Sequence, residues 1–260
     1  MPELPEVEVY RTLAGRTVGR TVSAVVADDA WYLKRGTTRA ALEAALVGRA
    51  VSVARRTGKV LLLEFGDDGP VVGLRFGMAG RLLVDGDAGI RDLLYASNRD
   101  LEKWDRFALR FADGGDLRIR DPRRLGGVEL DPVEARLGPD ALTITPAALS
   151  RALDSDAPLK ARLMDQARLA GVGNLAADEA LWRAGLDPAR PARSLTPAER
   201  RRLHRHLVAT LTLLVERGGV HLGDLIPERR PGGLCPRDGT PLERRTVGGR
   251  TTWSCPKHQV

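Results

Sequence analysis

Leu163-Met164-Asp165-Gln166-Ala167-Arg168-Leu169-Ala170-Gly171-Val172-Gly173-Asn174 ends in a Gly171–Asn174 segment lying between two stretches, 160–169 and 175–184, whose apolar residues recur every three or four positions. That spacing predicts two helices. The glycines permit positive φ and close backbone approach, and Asn174 is suited to cap the second helix, whose N-terminus attracts anions. By residue type alone, the stretch reads equally well as a glycine-rich turn between helices. Toward the C-terminus, 197–217 has the same helical spacing. Thr196 stands as its N-cap with Glu199 at the third helical position. A shorter helix is expected over 146–153.

Ahead of Pro132 the texture changes to short β-branched runs, at 22–26, 50–53, 60–65, 71–76, 81–84, 107–111 and 117–119. Asp67-Asp68-Gly69, Asp85-Gly86-Asp87 and Asp113-Gly114-Gly115 read as turns between them. A helical pattern over 5–18 (Val7, Tyr10, Leu13, Ala14) leads in, and 40–46 predicts one short helix among the strands. The reading is an α+β multidomain chain without internal repeats. It comprises an N-terminal β-sandwich (1–132), a helical domain (133–226) and a Gly/Pro/Arg-rich tail (227–260) too small to build a core by itself.

The chain of 260 residues carries a formal charge of +7 and a pI near 10, which suits a polyanionic partner. The tail holds seven Lys/Arg against three acids, so more than half of the excess lies there. No apolar run is long enough to cross a membrane and no secretory signal opens the chain, so a cytoplasmic, nucleoid-associated protein of bacterial type is expected. Cys235 and Cys255 can form at most one disulfide, which a reducing compartment disfavours. Metal ligation or plain burial fits them better. His204 and His206 are expected on a solvated helix face, and Trp31, Trp104 and Trp182 in packing.

The first residues are Met1-Pro2-Glu3-Leu4-Pro5-Glu6-Val7-Glu8. Trimming of Met1, normal before a small residue, would leave a secondary amine on Pro2. A terminal amine has a pKa of about 7.7–8.0 and is partly neutral near pH 7. With Glu3 and Glu6 nearby it has the makings of a nucleophile beside an acid/base, and its attack on a sugar C1′ would give a cationic Schiff base. The same residues also read as a plain segment with two prolines.

Six blocks in order decide between these readings. They are Arg55-Arg56-Thr57-Gly58-Lys59, Gly77-Met78-Ala79-Gly80, Asp121-Pro122-Arg123-Arg124, Leu163 to Gln166, Gly171 to Asn174, and Cys235 to His258. Together with the N-terminus they resemble the formamidopyrimidine-DNA glycosylase/endonuclease VIII family of base-excision repair enzymes. The resemblance implies two lobes with a DNA groove between them, a helix–two-turn–helix, and a C-terminal zinc-finger-like β-hairpin. It implies a bifunctional glycosylase/lyase acting as a monomer on double-stranded DNA with damaged bases or abasic sites, with no organic cofactor. Pro2 would be the nucleophile, Glu3 would assist protonation and base departure, Glu6 would support the site, and Lys59 would contact the phosphate beside the lesion.

Further DNA contacts implied by the resemblance are Arg75, Lys160, Asn174 and Arg250, with Met78, Arg123 and Leu125 as the wedge filling the gap of an extruded base. Leu125 replaces the usual Phe, so stacking there is weakened. Taken alone, Met78 and Leu125 would more often be core residues. Cys235-x2-Asp238-x16-Cys255-x2-His258 has the spacing of the family's four-cysteine zinc finger with two thiolates replaced. All four residues are competent Zn²⁺ ligands, and a metal-free hairpin held by packing is the alternative. Only fifteen residues separate Gly219 from Cys235, so the long loop that closes over 8-oxoguanine in relatives is largely absent. Oxidised pyrimidines, hydantoins or abasic sites are therefore the expected substrates. A DNA-binding protein of the same fold without excision is the competing reading.

Overall fold

The computed structural model describes residues 2–90, 93, 99 and 101–260. Trimming of Met1 lies outside them. The chain divides into two compact units, one of Glu6–Glu134 with the residues up to Pro2, the other of Glu3–Pro5 with Ala135–Val260.

The first unit holds two four-stranded antiparallel sheets. One has the order β1 (Val22–Val26), β6 (Asp105–Phe111), β7 (Asp116–Arg120), β5 (Arg81–Val84); the other β2 (Val53–Thr57), β3 (Val60–Glu64), β4 (Val71–Arg75), β8 (Gly127–Leu130). The strands alternate as their β-branched sequences require, and Leu61, Leu63, Val72, Leu74, Leu82, Phe107, Leu109 and Ile119 share one core. Helix α1 (Leu4–Ala14) adds Val7, Tyr10, Leu13 and Ala14 to that core, at the three- and four-residue spacing seen in sequence. Helix α2 (Arg39–Leu46) buries Leu42 and Leu46 and starts on Thr38, whose hydroxyl accepts from Ala41 N–H. One boundary moves. The strand expected at 50–53 lies at β2, so Arg55, Arg56 and Thr57 are in a ladder with β3 and only Gly58-Lys59 forms the turn. Arg55 stabilises that position by pairing through Nε with Glu64 and, through both terminal guanidinium nitrogens, with Glu134 at 2.6 Å.

The second unit is helical: α3 (Pro146–Ala152), α4 (Leu159–Leu163), α5 (Asn174–Ala184) and α6 (Pro197–Arg217) pack around Leu149, Leu163, Leu181, Leu203, Leu207 and Leu211. Thr196 and Glu199 form the expected reciprocal cap of α6. The helix expected over 160–169 stops at Leu163, because Gln166 turns the chain. Its side-chain amide donates to the carbonyls of Met164 (2.7 Å) and Val172 (2.9 Å) and accepts from Gly171 N–H. The C-terminal hairpin, β9 (Glu243–Val247) and β10 (Arg250–Ser254), turns on Gly248-Gly249, both at positive φ. It has its own small core of Trp182, Leu225, Cys235, Leu242, Trp253 and Cys255. No helix among the described residues is long and apolar enough to cross a membrane.

Candidate nucleic-acid interface and metal centre

In the second unit, the N-terminus of α5 holds Glu3. Its carboxylate accepts from Leu175 N–H at 3.0 Å and from Ala176 N–H at 3.1 Å, and the residue is buried. The first turn of a helix has unpaired N–H groups that a side-chain oxygen can satisfy. The sequence offers Asn174 for that task, but Gly173 occupies the cap position and makes no side-chain cap. A carboxylate from 172 positions upstream does it instead. Leu4 N–H donates to Gly171 O at 3.2 Å and fixes the same segment from the backbone side. Only glycine fits at 173, since a Cβ there would lie 2.1 Å from the Glu3 carboxyl carbon. Asn174 is half-buried, and its Oδ1 has no hydrogen-bond partner among the described residues.

Pro2 and Glu6 are buried in the first unit. Glu6 faces Tyr10, whose hydroxyl is held far above its usual pKa, by burial first and by the Glu6 charge second. Lys59 is half-buried at the β2–β3 turn. Arg56 braces that turn, donating to Glu8 and to Gly58 O, each at 2.8 Å.

The residues expected to form the wedge stand on loops of the same unit. Asp121, fully buried, accepts from the backbone N–H of Arg123 (3.0 Å) and Arg124 (3.1 Å) through one oxygen and of Gly126 (2.9 Å) through the other. These bonds fold 121–126 into a rigid arch that projects Arg123 and Leu125 into water, Leu125 being 53% exposed. That exposure removes the core reading of Leu125. The Gly77-Met78 turn meets the arch backbone to backbone: a Cβ on Gly77 would be 2.4 Å from the Leu125 carbonyl carbon. Met78 is half-buried there. Arg75 ends β4 with its guanidinium 3.9 Å from Glu129, and burial lowers its pKa against the pull of that carboxylate. Asp121 is a residue whose role sequence reading missed; its place just before Pro-Arg-Arg, ahead of a glycine pair, is the available signal.

Lys160 departs from the expectation of a DNA-side lysine. It is fully buried, 2.7 Å from Asp178 Oδ1, and donates to Thr252 Oγ1 (2.8 Å) and Thr251 O (3.1 Å). Arg229 approaches the other oxygen of Asp178 at 3.0 Å. Burial lowers the pKa of Lys160, and Asp178 opposes that shift. The lysine therefore joins α4 and α5 to β10. At the other end of the hairpin turn, Arg250 is exposed at the start of β10.

Cys235, Asp238, Cys255 and His258 converge, all four ligand atoms lying within 4.8 Å of one another. His258 Nε2 is 3.1 Å from Trp182 O, which assigns the proton to Nε2 and turns a bare Nδ1 toward Asp238 (3.2 Å) and Cys235 Sγ (3.6 Å). Trp182 Nε1–H donates to Cys235 Sγ at 3.3 Å. Hydrogen bonds from Thr240 hold the Asp238 carboxyl far below the usual range, so it is present as an anion. Burial pushes the Cys255 thiol up, so metal uptake there must expel a proton. Two sulfurs, an oriented imidazole nitrogen and a carboxylate fit a tetrahedral metal ion, and this quartet can hold one.

Known proteins share both units. Residues 1–128 match the formamidopyrimidine-DNA glycosylase N-terminal domain, and residues 137–224 match the formamidopyrimidine-DNA glycosylase H2TH domain. The formamidopyrimidine-DNA glycosylase of Geobacillus kaustophilus is 35% identical, with all of both chains covered. That of Thermus thermophilus is 38% identical over all of this chain and 98% of its own. Among solved structures, a Lactococcus lactis enzyme mutant bound to Fapy-dG DNA superimposes with TM-score 0.84 at 26% identity, covering 99% of each chain. The L. lactis enzyme non-covalently bound to abasic-site DNA gives 0.83 at 27%, with the same coverage.

Proposed function

Since the chain belongs to the formamidopyrimidine-DNA glycosylase family, we propose that it excises oxidised bases with its N-terminal amine and then cleaves the strand as an abasic-site lyase. It is a DNA glycosylase of base excision repair, and its partner is DNA with damaged bases or abasic sites. With Met1 removed, the Pro2 nitrogen attacks C1′ of the damaged nucleoside. The C1′–N bond to the base breaks, the base leaves with a proton, and loss of the amine proton leaves an aminal; cleavage of C1′–O4′, with a proton passed to O4′, then opens the sugar to a C1′=N⁺ Schiff base. Loss of a C2′ proton then expels the 3′ phosphate, and a second elimination expels the 5′ phosphate.

The observation that carries this reading is the buried Glu3 carboxylate, next to Pro2 in sequence and fixed by two amide N–H groups of α5. A proton carrier must be held in place to serve a developing transition state. Lys59, Arg75, Asn174 and Arg250 are assigned to phosphates, and Arg123, Leu125 and Met78 to the gap left by the extruded base. Zn²⁺ is the metal proposed for the Cys235, Asp238, Cys255 and His258 quartet, where it would close the hairpin and present Arg250. We assign the substrate preference to oxidised pyrimidines, hydantoins and abasic sites. The 220–234 segment is short and tied down, Asp224 and Leu225 N–H donating to the buried Glu179 carboxylate at 3.1 and 2.9 Å, with no long loop left to close over a purine.

The test is borohydride trapping. Met-free protein mixed with abasic-site DNA gives a covalent adduct on Pro2, located by mass spectrometry. Met-free, folded protein that binds this DNA and yields no adduct is a binding module instead.

A further inference from the structure

Trp31 is 67% exposed in a short 3-10 turn, Ala30–Tyr32, of the first unit. An indole costs much more to leave in water than to bury, and here its surroundings prevent it from folding inward. Tyr32 takes the buried place, with its hydroxyl 3.5 Å from Arg75 O, and Leu33 and Lys34 pair alongside Val128 of β8. Asp29, just before the turn, receives a bidentate contact from Arg124 at 2.6 and 2.7 Å. The turn is thus bolted to the Asp121 arch that displays Arg123 and Leu125. Lys34 places its ammonium 4.8 Å from the centre of the indole while donating to Trp31 O, and Arg35, the next residue in sequence, pairs with Glu129 at 3.3 Å with its side chain 53% exposed. Arg35 and Arg124 both hold left-handed backbone conformations, with φ of 53° and 54°. Residues other than Gly, Asn and Asp rarely do so, and such strain gathers at functional surfaces.

An outward-facing aromatic ring backed by cations is the surface that takes up an unstacked nucleobase between a ring face and phosphates. Extrusion of a damaged base leaves its opposite base without a pairing partner. Leu125, aliphatic and on the adjoining loop, can fill space there but has no ring to stack. We propose that Trp31 is the stacking platform for that orphaned base, and that Lys34 and Arg35 hold the neighbouring phosphate. The proposal rests on the assignment of the chain as a DNA glycosylase and adds a second element to the wedge.

The test uses the full-length protein and a duplex with a tetrahydrofuran abasic analogue opposite 2-aminopurine, so no chemistry is needed. Wild type quenches the 2-aminopurine fluorescence on binding. Trp31→Ala binds about tenfold more weakly and loses the quench, Trp31→Phe recovers most of both, and the salt dependence of binding stays as in wild type because no charge is removed. Trp31→Ala binding and quenching like wild type overturns the proposal, as does weaker binding with the quench intact. A wild type that does not distinguish the abasic duplex from an undamaged one removes the glycosylase assignment itself.

Discussion

Two of the buried carboxylates at helix α5, Glu3 and Asp178, lie one turn apart and are held oppositely. Glu3, at its first turn, accepts from two backbone N–H groups of the helix. Asp178, inside the helix, lies between Lys160 and Arg229 and also accepts from Trp253 N–H at 3.3 Å. A buried charge locked between two cations is a structural joint, and removing either side leaves an uncompensated ion. A carboxylate seated on helix amides is oriented by hydrogen bonds along its two oxygens, which suits the proton-carrying role proposed for Glu3. The difference lies in what each group can still do once it is in place.

The strongest break of this comparison is Glu3→Gln. Base excision should fall by about 10²–10⁴-fold, while cleavage of a pre-formed abasic site, which needs no departing base, falls much less. Equal loss of both activities in single-turnover assays contradicts the role given to Glu3. Gly173→Ala should act through position alone. Its methyl collides with the Glu3 carboxyl, and a displacement of that order costs about 10²-fold in excision.

Lys160→Met should do the reverse, lowering the unfolding free energy of the helical unit by about 3–5 kcal/mol in urea titrations with little change in turnover per folded molecule. Activity loss without destabilisation would return Lys160 to the DNA side. Cys255→Ser should release about one zinc per chain, read by elemental analysis, and loosen β9–β10 while the sandwich stays folded. Asp238→Cys should retain the metal more tightly. Smallest is Arg250→Ala, which should reduce the slope of log affinity against log salt by about one and leave excision at saturating protein unchanged.

Features written over short spans were legible in the sequence. The Thr196–Glu199 cap and the sandwich strands follow from local spacing, the Cys235-x2-Asp238…Cys255-x2-His258 quartet from its match to the family's finger spacing, and the structure has all three. Features depending on distant partners were not. Nothing around Lys160 announces that Asp178 and Thr252 will enclose it. Asn174 has the chemistry of a cap, yet the cap comes from Glu3. Trp182 does pack, in the hairpin core, but Trp31 stands in water because Tyr32 takes the inward position. His204, expected on a solvated face, instead lies 2.7 Å from Ile144 O.

The Glu3–α5 contact also carries a timing rule for synthesis. Glu3 leaves the ribosome early, whereas Leu175 and Ala176 follow about 170 positions later, a delay of roughly ten to thirty seconds at ordinary elongation rates. Until then the carboxylate has no seat. A nascent chain long enough to fold the whole sandwich still carries a Glu3 carboxylate whose helix N–H partners have not yet been made.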